Sequence, residues 1–160
     1  MTAPVVLTVA AIEGAQLARI VDDFLALLAE ADPGDPAITR LTPTPYPDDD
    51  DASAEFAAAT HDDLIDRRLL DARTMRAGLS AFDPESTLTA DQAREPREVT
   101  IRRTDVDAWL RTLTAIRLVI ATRLGITVEE PSADGEGMAV YDWLGYRLEL
   151  LIEAADDVGA

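Results

Sequence analysis

Apolar positions recur along this chain at two spacings. The run Val5 to Val9 (VVLTV) is short and β-branched, which predicts a strand. Val99 to Arg102 (VTIR) alternates apolar with polar side chains and predicts a second strand able to pair with the first. Such a two-stranded ribbon is not stable alone and must pack on helices. Four longer stretches repeat every three to four residues and predict helices. The first runs from about Ala11 to Ala31, with Leu17, Ile20, Val21, Phe24, Leu27 and Leu28 on its apolar face. Glu13 sits in its first turn, where the helix dipole favours an anion, and Asp32-Pro33-Gly34-Asp35-Pro36 stops it. The second spans Ser53 to Phe82, with Asp51 or Ser53 as its cap and Leu64, Ile65, Ala72, Met75, Leu79 and Phe82 as its stripe. The third covers Asp105 to Leu124. It opens on a capping box of Thr104 and Asp107 and closes on Gly125 as a left-handed cap. The fourth runs from about Met138 to Asp156.

The connections carry turn chemistry. Three prolines at alternate positions force Leu41 to Asp51 (LTPTPYPDDDD) into extended backbone, with Tyr46 as its anchor against the body. Asp83 to Glu98 reads as a surface loop with one helical turn near Thr89 to Arg94. Thr127 to Gly137 is an acidic loop. These elements predict one mainly α domain over residues 1–160: a four-helix orthogonal or bundle-like arrangement with a small two-stranded β-ribbon.

Two arginines break the pattern. Arg68 falls inside the apolar stripe of the second helix, and Arg117 falls inside that of the third, among Trp109, Leu113, Ile116 and Ile120. A guanidinium on a core face must find carboxylates or carbonyls, because a buried unpaired charge costs several kcal/mol. Either ion pairs cross the helix packing, with Asp142, Asp63 or Asp66 as the predicted partner of Arg117, or the two arginines line an anion pocket together with Tyr46 and Asp142. The fourth helix adds a second anomaly, because it is apolar on two sides. Tyr141, Leu144, Leu148, Leu151 and Ile152 make one face, and Trp143, Tyr146, Leu150 and Ala154 make the other. Such a helix is either central in its bundle or shares one face with another chain; in the second case Trp143, Tyr146 and Leu150 form a contact surface for another copy of the chain or another protein.

Composition narrows the classes of partner. The chain has 160 residues, a formal net charge of −17 and no cysteine. Disulfides and thiolate metal sites are therefore excluded, and nucleic acid and anionic lipid are disfavoured as partners. No apolar run approaches the roughly 18 residues that cross a bilayer. Met1 to Ala10 lacks the basic start and apolar length of a signal peptide, so the predicted location is the cytoplasm. Lysine and asparagine are absent while alanine, aspartate and arginine are abundant, which fits codon bias in a GC-rich genome first and a halophile second, given the continuous apolar stripes.

Candidate chemistry is sparse. His61, the only histidine, is flanked by Asp62 and Asp63 and has no nucleophile at a recognisable spacing, so no catalytic residue is predicted. Asp48 to Asp51 lacks the alternate spacing and glycine of a calcium loop, and no metal or cofactor is predicted. The adjacent pairs Arg67-Arg68 and Arg102-Arg103 lie far apart in an acidic background, and none of the four helices is a basic reading helix for DNA.

Four segments in order resemble a known family: RLTPTPYPDD (Arg40 to Asp49), HDDLIDRRL (His61 to Leu69), AWLRTLTAIRLVIATRLGI (Ala108 to Ile126) and YDWLG (Tyr141 to Gly145). Together they resemble the actinobacterial domain-of-unknown-function family two-thousand-seventeen over nearly the whole chain. Thr114 stands where that family usually carries an asparagine. The resemblance implies a GC-rich actinobacterial source and a gene often found beside that of the ClpS adaptor. It implies no known activity. The expected function is that of a non-catalytic interaction or regulatory protein, linked through the resemblance to Clp-type proteolysis, with a protein partner or self-association. A binder of a small anionic ligand using Arg68 and Arg117 is the alternative, and a transcriptional regulator, which the charge opposes, is the third.

Overall fold

Ladder hydrogen bonds satisfy the backbone of the two β-branched runs, and helices cover the ribbon that results. A computed structural model of the chain describes residues 3–43, 50–125 and 135–159, and the side chains within them except 50–59, 136, 158 and 159. Strand β1 (Val5–Ala10) pairs antiparallel with β2 (Pro96–Ile101), in a register that sets Val5 opposite Ile101 and Ala10 opposite Pro96. Val5, Val9, Val99 and Ile101 are buried on one face. The predicted ribbon is present, and the preceding loop is shorter than expected because Pro96 already belongs to β2. Proline is tolerated there because it is the first residue of an edge strand.

The helices are α1 (Ala11–Glu30), α2 (Pro36–Leu41), α3 (Asp50–Gly78), α4 (Ala90–Arg94), α5 (Val106–Leu124) and α6 (Glu136–Gly159). Helix accounts for 72 % of the described residues. The four long helices match the four predicted, and α4 matches the turn expected near Thr89, whose hydroxyl caps it through the Gln92 N–H. Two local expectations fail, and a third is met with an addition. The Asp32 to Pro36 segment does more than stop α1. Asp35 accepts the Ala37 N–H at 2.9 Å, and Pro36 takes the first helical position, so the same residues start α2. Thr104 makes no capping bond to α5; a 3₁₀ turn (Arg103–Asp105) leads in, and Asp105 pairs with Arg102 at 2.9 Å. Helix α3 ends at Gly78 rather than Phe82, and Leu79 and Phe82 enter the core from the turn that follows. The cap expected from Asp51 or Ser53 lies outside the described side chains.

Trp109 on α5 lies at the centre of the core, 2 % exposed. A methyl group added at Gly78 of α3 would stand 2.7 Å from its ring, so glycine lets α3 and α5 approach closely there. Leu28 of α1, Ile38 and Leu41 of α2, Met75 of α3 and Leu144 and Leu151 of α6 complete the core. On α6, Ile152 departs from its predicted place on the core face and is 43 % exposed. No helix among the described residues is long and apolar enough to cross a membrane.

Candidate functional site

Helix α6 delivers to Arg117 a ring and a carbonyl rather than a carboxylate. The guanidinium stacks over the Tyr141 ring at 4.1 Å, and its Nε donates to the Tyr141 carbonyl at 3.3 Å. Gly145, one turn further along, leaves the room: a methyl group there would stand 2.8 Å from an Arg117 terminal nitrogen. The ion pair expected with Asp142, Asp63 or Asp66 is absent among the described residues, and all three carboxylates are exposed. The reason is rotational. Asp142 follows Tyr141 by one residue, about 100° around the helix, so the rotation that stacks Tyr141 on Arg117 turns Asp142 to solvent. Thr114 is exposed and bonds back to the Leu110 carbonyl at 2.8 Å.

Arg68 faces a different element. One terminal nitrogen donates to the Leu41 carbonyl at the end of α2, at 3.2 Å, while its buried Nε meets no acceptor among the described residues. Burial pulls the pKa of this guanidinium down, and the nearby Asp71 charge pushes it back only in part. Arg68 and Arg117 therefore do not converge: one donates to the end of α2 and the other to α6. Tyr46 lies outside the described residues. His61 is half-buried on α3 beside exposed Asp62 and Asp63.

What Arg68 does join is a set of arginines that sequence reasoning missed. Leu64, Arg67, Arg68, Leu70 and Asp71 of α3 and Arg111 of α5 line a depression of about 480 Å³. Arg111 grips Asp71 with both prongs of its fork, at 2.8 and 3.0 Å. That hydrogen-bonded pairing raises the Arg111 pKa against the opposing effect of burial, so its charge is secure. A second depression, of about 550 Å³, adjoins the first and shares Leu70 with it. Arg73 of α3, Arg102 and Asp105 from the end of β2 and the turn after it, and the edge of Trp109 line this one. Leu70, 65 % exposed, stands between the two. Five arginines thus face five guanidinium charges toward one surface, and both carboxylates lining it, Asp71 and Asp105, are already paired with arginines. The adjacent arginine pairs were the available signal. Arg67-Arg68 and Arg102 come to the same face, while Arg103 turns away and donates to the Ala155 carbonyl of α6 at 2.6 Å.

A third cluster joins α6 to the start of α1. Glu13 accepts from Trp143 Nε1 at 3.0 Å, from Arg147, and from the Ala10 N–H at 3.5 Å. The last bond is the backward half of a capping box, of which Ala10 lacks the side chain to supply the forward half. Trp143 is therefore drawn against the body of its own chain and is half-buried. Of the expected contact surface, Tyr146 is 56 % exposed and Leu150 is half-buried. Among the described residues, no group of three or more histidine, aspartate or glutamate side chains gathers as a metal site would require.

No curated protein and no solved structure matches the chain. One family model does, over residues 2–155, with the four motif segments and the paired ribbon inside the match. The chain belongs to the family described as domain of unknown function (DUF2017).

Proposed function

We propose that the chain is a non-catalytic interaction protein whose arginine-lined face receives an acidic segment of another protein. The supporting observation is the gathering of Arg67, Arg68, Arg73, Arg102 and Arg111 around exposed Leu70, in a chain whose net charge is −17. Charges more than about 8 Å apart at the surface are largely screened at physiological ionic strength. A short acidic segment therefore meets the local face, while a long polyanion such as nucleic acid also meets the acidic remainder. Exposed Leu70 offers apolar contact between the charges, as interface centres do. The setting we propose is cytoplasmic and regulatory, with Clp-type proteolysis implied by the family resemblance. A clamp made of Arg68 and Arg117 together has less support, since the two guanidiniums turn to different elements.

Fluorescence anisotropy with a labelled peptide rich in aspartate and glutamate tests the proposal. Binding should weaken steeply with added salt and fall at least about tenfold in an Arg67→Glu, Arg73→Glu double variant, a loss of about 1.4 kcal/mol or more. Absence of binding at high micromolar protein, or equal binding by the double variant, would refute it.

Self-association through α6 is the second reading, supported by the exposure of Tyr146 and Ile152 on that helix.

A further inference from the structure

The charges that line the α3–α5 depression do not balance. Arg67, Arg68 and Arg111 bring three positive charges and Asp71 brings one negative, an excess of two among the lining side chains, with Asp107 acting on Arg111 more weakly from beyond the lining. Water meets that excess at a cost that rises as the groups are buried, and Arg68 is half-buried. Its guanidinium is held by the Leu41 carbonyl and the fork of Arg111 by Asp71, so both are set before any ligand arrives. Asp71 takes two of the five N–H groups of Arg111 and leaves three for a ligand. Arg67 is exposed and has no ion-pair partner among the described residues.

Resting on the acidic-segment reading above, we propose that this depression is the seat for a phosphoryl group carried on that segment. A phosphoryl group on a serine or threonine carries about −1.5 to −2 at neutral pH and three acceptor oxygens, which matches the excess charge. One carboxylate meets only half of it. The planar fork of arginine fits a phosphoryl oxygen pair as well as it fits a carboxylate, so geometry admits both and charge selects between them. The apolar walls matter too. Leu64 and Leu70 flank the arginines, and a bare ion would leave them in water, whereas the flanking residues of a peptide would cover them. The phosphorylated side chain therefore fits better than free phosphate.

Two labelled peptides of the same acidic sequence, one with a central phosphoserine and one with serine, decide the matter by fluorescence anisotropy. The phosphorylated peptide should bind about tenfold or more tighter. That ratio should shrink to within about threefold in Arg67→Ala, a change at an exposed position that leaves the core intact, and in Arg111→Gln. Phosphorus resonances of the peptide should broaden on wild type and stay sharp on both variants, with far-UV circular dichroism confirming that the variants are folded. Equal affinity for the two peptides would overturn the phosphoryl seat and leave the acidic-segment reading standing. Failure of both peptides to bind would overturn both. Displacement of the phosphopeptide by inorganic phosphate at the peptide's own dissociation constant would show that the seat takes the free ion and would overturn the peptide-borne source.

Discussion

Removing Glu13 should cost more than removing any exposed carboxylate of this acidic chain. Its side chain is 29 % exposed and that of Arg147 15 %. Two donors converge on it from α6, so Glu13→Ala strips the partner of a largely buried cation and of the Trp143 indole at once. A hydrogen bond to a charged group contributes about 1.5–3 kcal/mol and a neutral one about 1 kcal/mol. Allowing for the part of Glu13 that water still reaches, the expected loss is about 2–3 kcal/mol. Urea denaturation followed by tryptophan fluorescence measures it. A cycle with Arg147→Met isolates the pair, and the coupling energy should be about 1.5 kcal/mol or more. Because the methionine fills the volume without charge, the double variant should be more stable than the two single losses would sum to. A Glu13→Ala loss below about 1 kcal/mol, or coupling below about 0.5 kcal/mol, would refute the reasoning and reduce this cluster to an ordinary surface pair.

The same carboxylate fixes the sign of a pH effect. Burial pushes the pKa of Glu13 up, but the hydrogen bonds from Arg147 and Trp143, the Arg147 charge and the Ala10 N–H outweigh it and hold the pKa below its ordinary value. A depressed folded-state pKa gives stabilisation that is complete above the unfolded-state pKa and is lost as pH falls through the folded one. Between neutral pH and the acid side of the carboxylate range, the wild type should therefore lose more stability than Glu13→Ala. The gap between the two proteins should close in strong acid.

Three further outcomes follow from the packing. Arg117→Ala should cost about 1–2 kcal/mol in the same urea assay, the sum of one stacking contact and one hydrogen bond to a carbonyl, because no buried carboxylate is left behind. A loss of about 4 kcal/mol would point instead to a buried anion partner. Gly78→Ala should lower stability by about 1–3 kcal/mol through overpacking against the Trp109 ring, and a neutral result in thermal unfolding would show that α3 and α5 separate easily. In sedimentation equilibrium the wild type should shift toward dimer at high micromolar concentration and Tyr146→Glu should remain monomeric; two identical monomer curves would exclude α6 as a self-contact.

The parts of the fold that depend on local pattern were legible in the sequence. The ribbon rested on the short apolar runs at Val5 to Val9 and Val99 to Arg102, whose pairing was legible, while its antiparallel direction is set by how the helices between them return the chain. The long helices followed from periodicity, and Gly125 ends α5 at φ 68° as its place after the apolar stripe required. The misses came where one residue serves two neighbours. Asp35 was legible as part of a stop but also caps α2 and holds Arg123 at 2.6 Å, a pairing across 88 residues that no local window contains. Thr104 does not cap because it lies inside the 3₁₀ turn Arg103–Asp105, which leaves Asp105 next to the start of α5.

The arginines mark the deeper limit. Position on a helical wheel put Arg117 on the core face, and the side chain is half-buried there. Which atom it would meet depended on the rotation of α6 about its own axis, and a step of one residue separates the Tyr141 ring from the Asp142 carboxylate. The arginine face was hidden for a related reason. Arg67, Arg73, Arg102 and Arg111 come from three elements, and each lies among aspartates in sequence, as Arg67 does beside Asp66 and Arg111 near Asp107. Averaged along the chain, the charge is strongly negative. Folding separates the two signs, because the paired carboxylates Asp71 and Asp105 are drawn down against arginines, with 18 % and 22 % of their side chains exposed, while Arg102 and Arg111 keep 79 % and 60 % in solvent. The basic character of the face is thus a property of depth rather than of composition, created by burying the carboxylate end of each ion pair and leaving the guanidinium end outward.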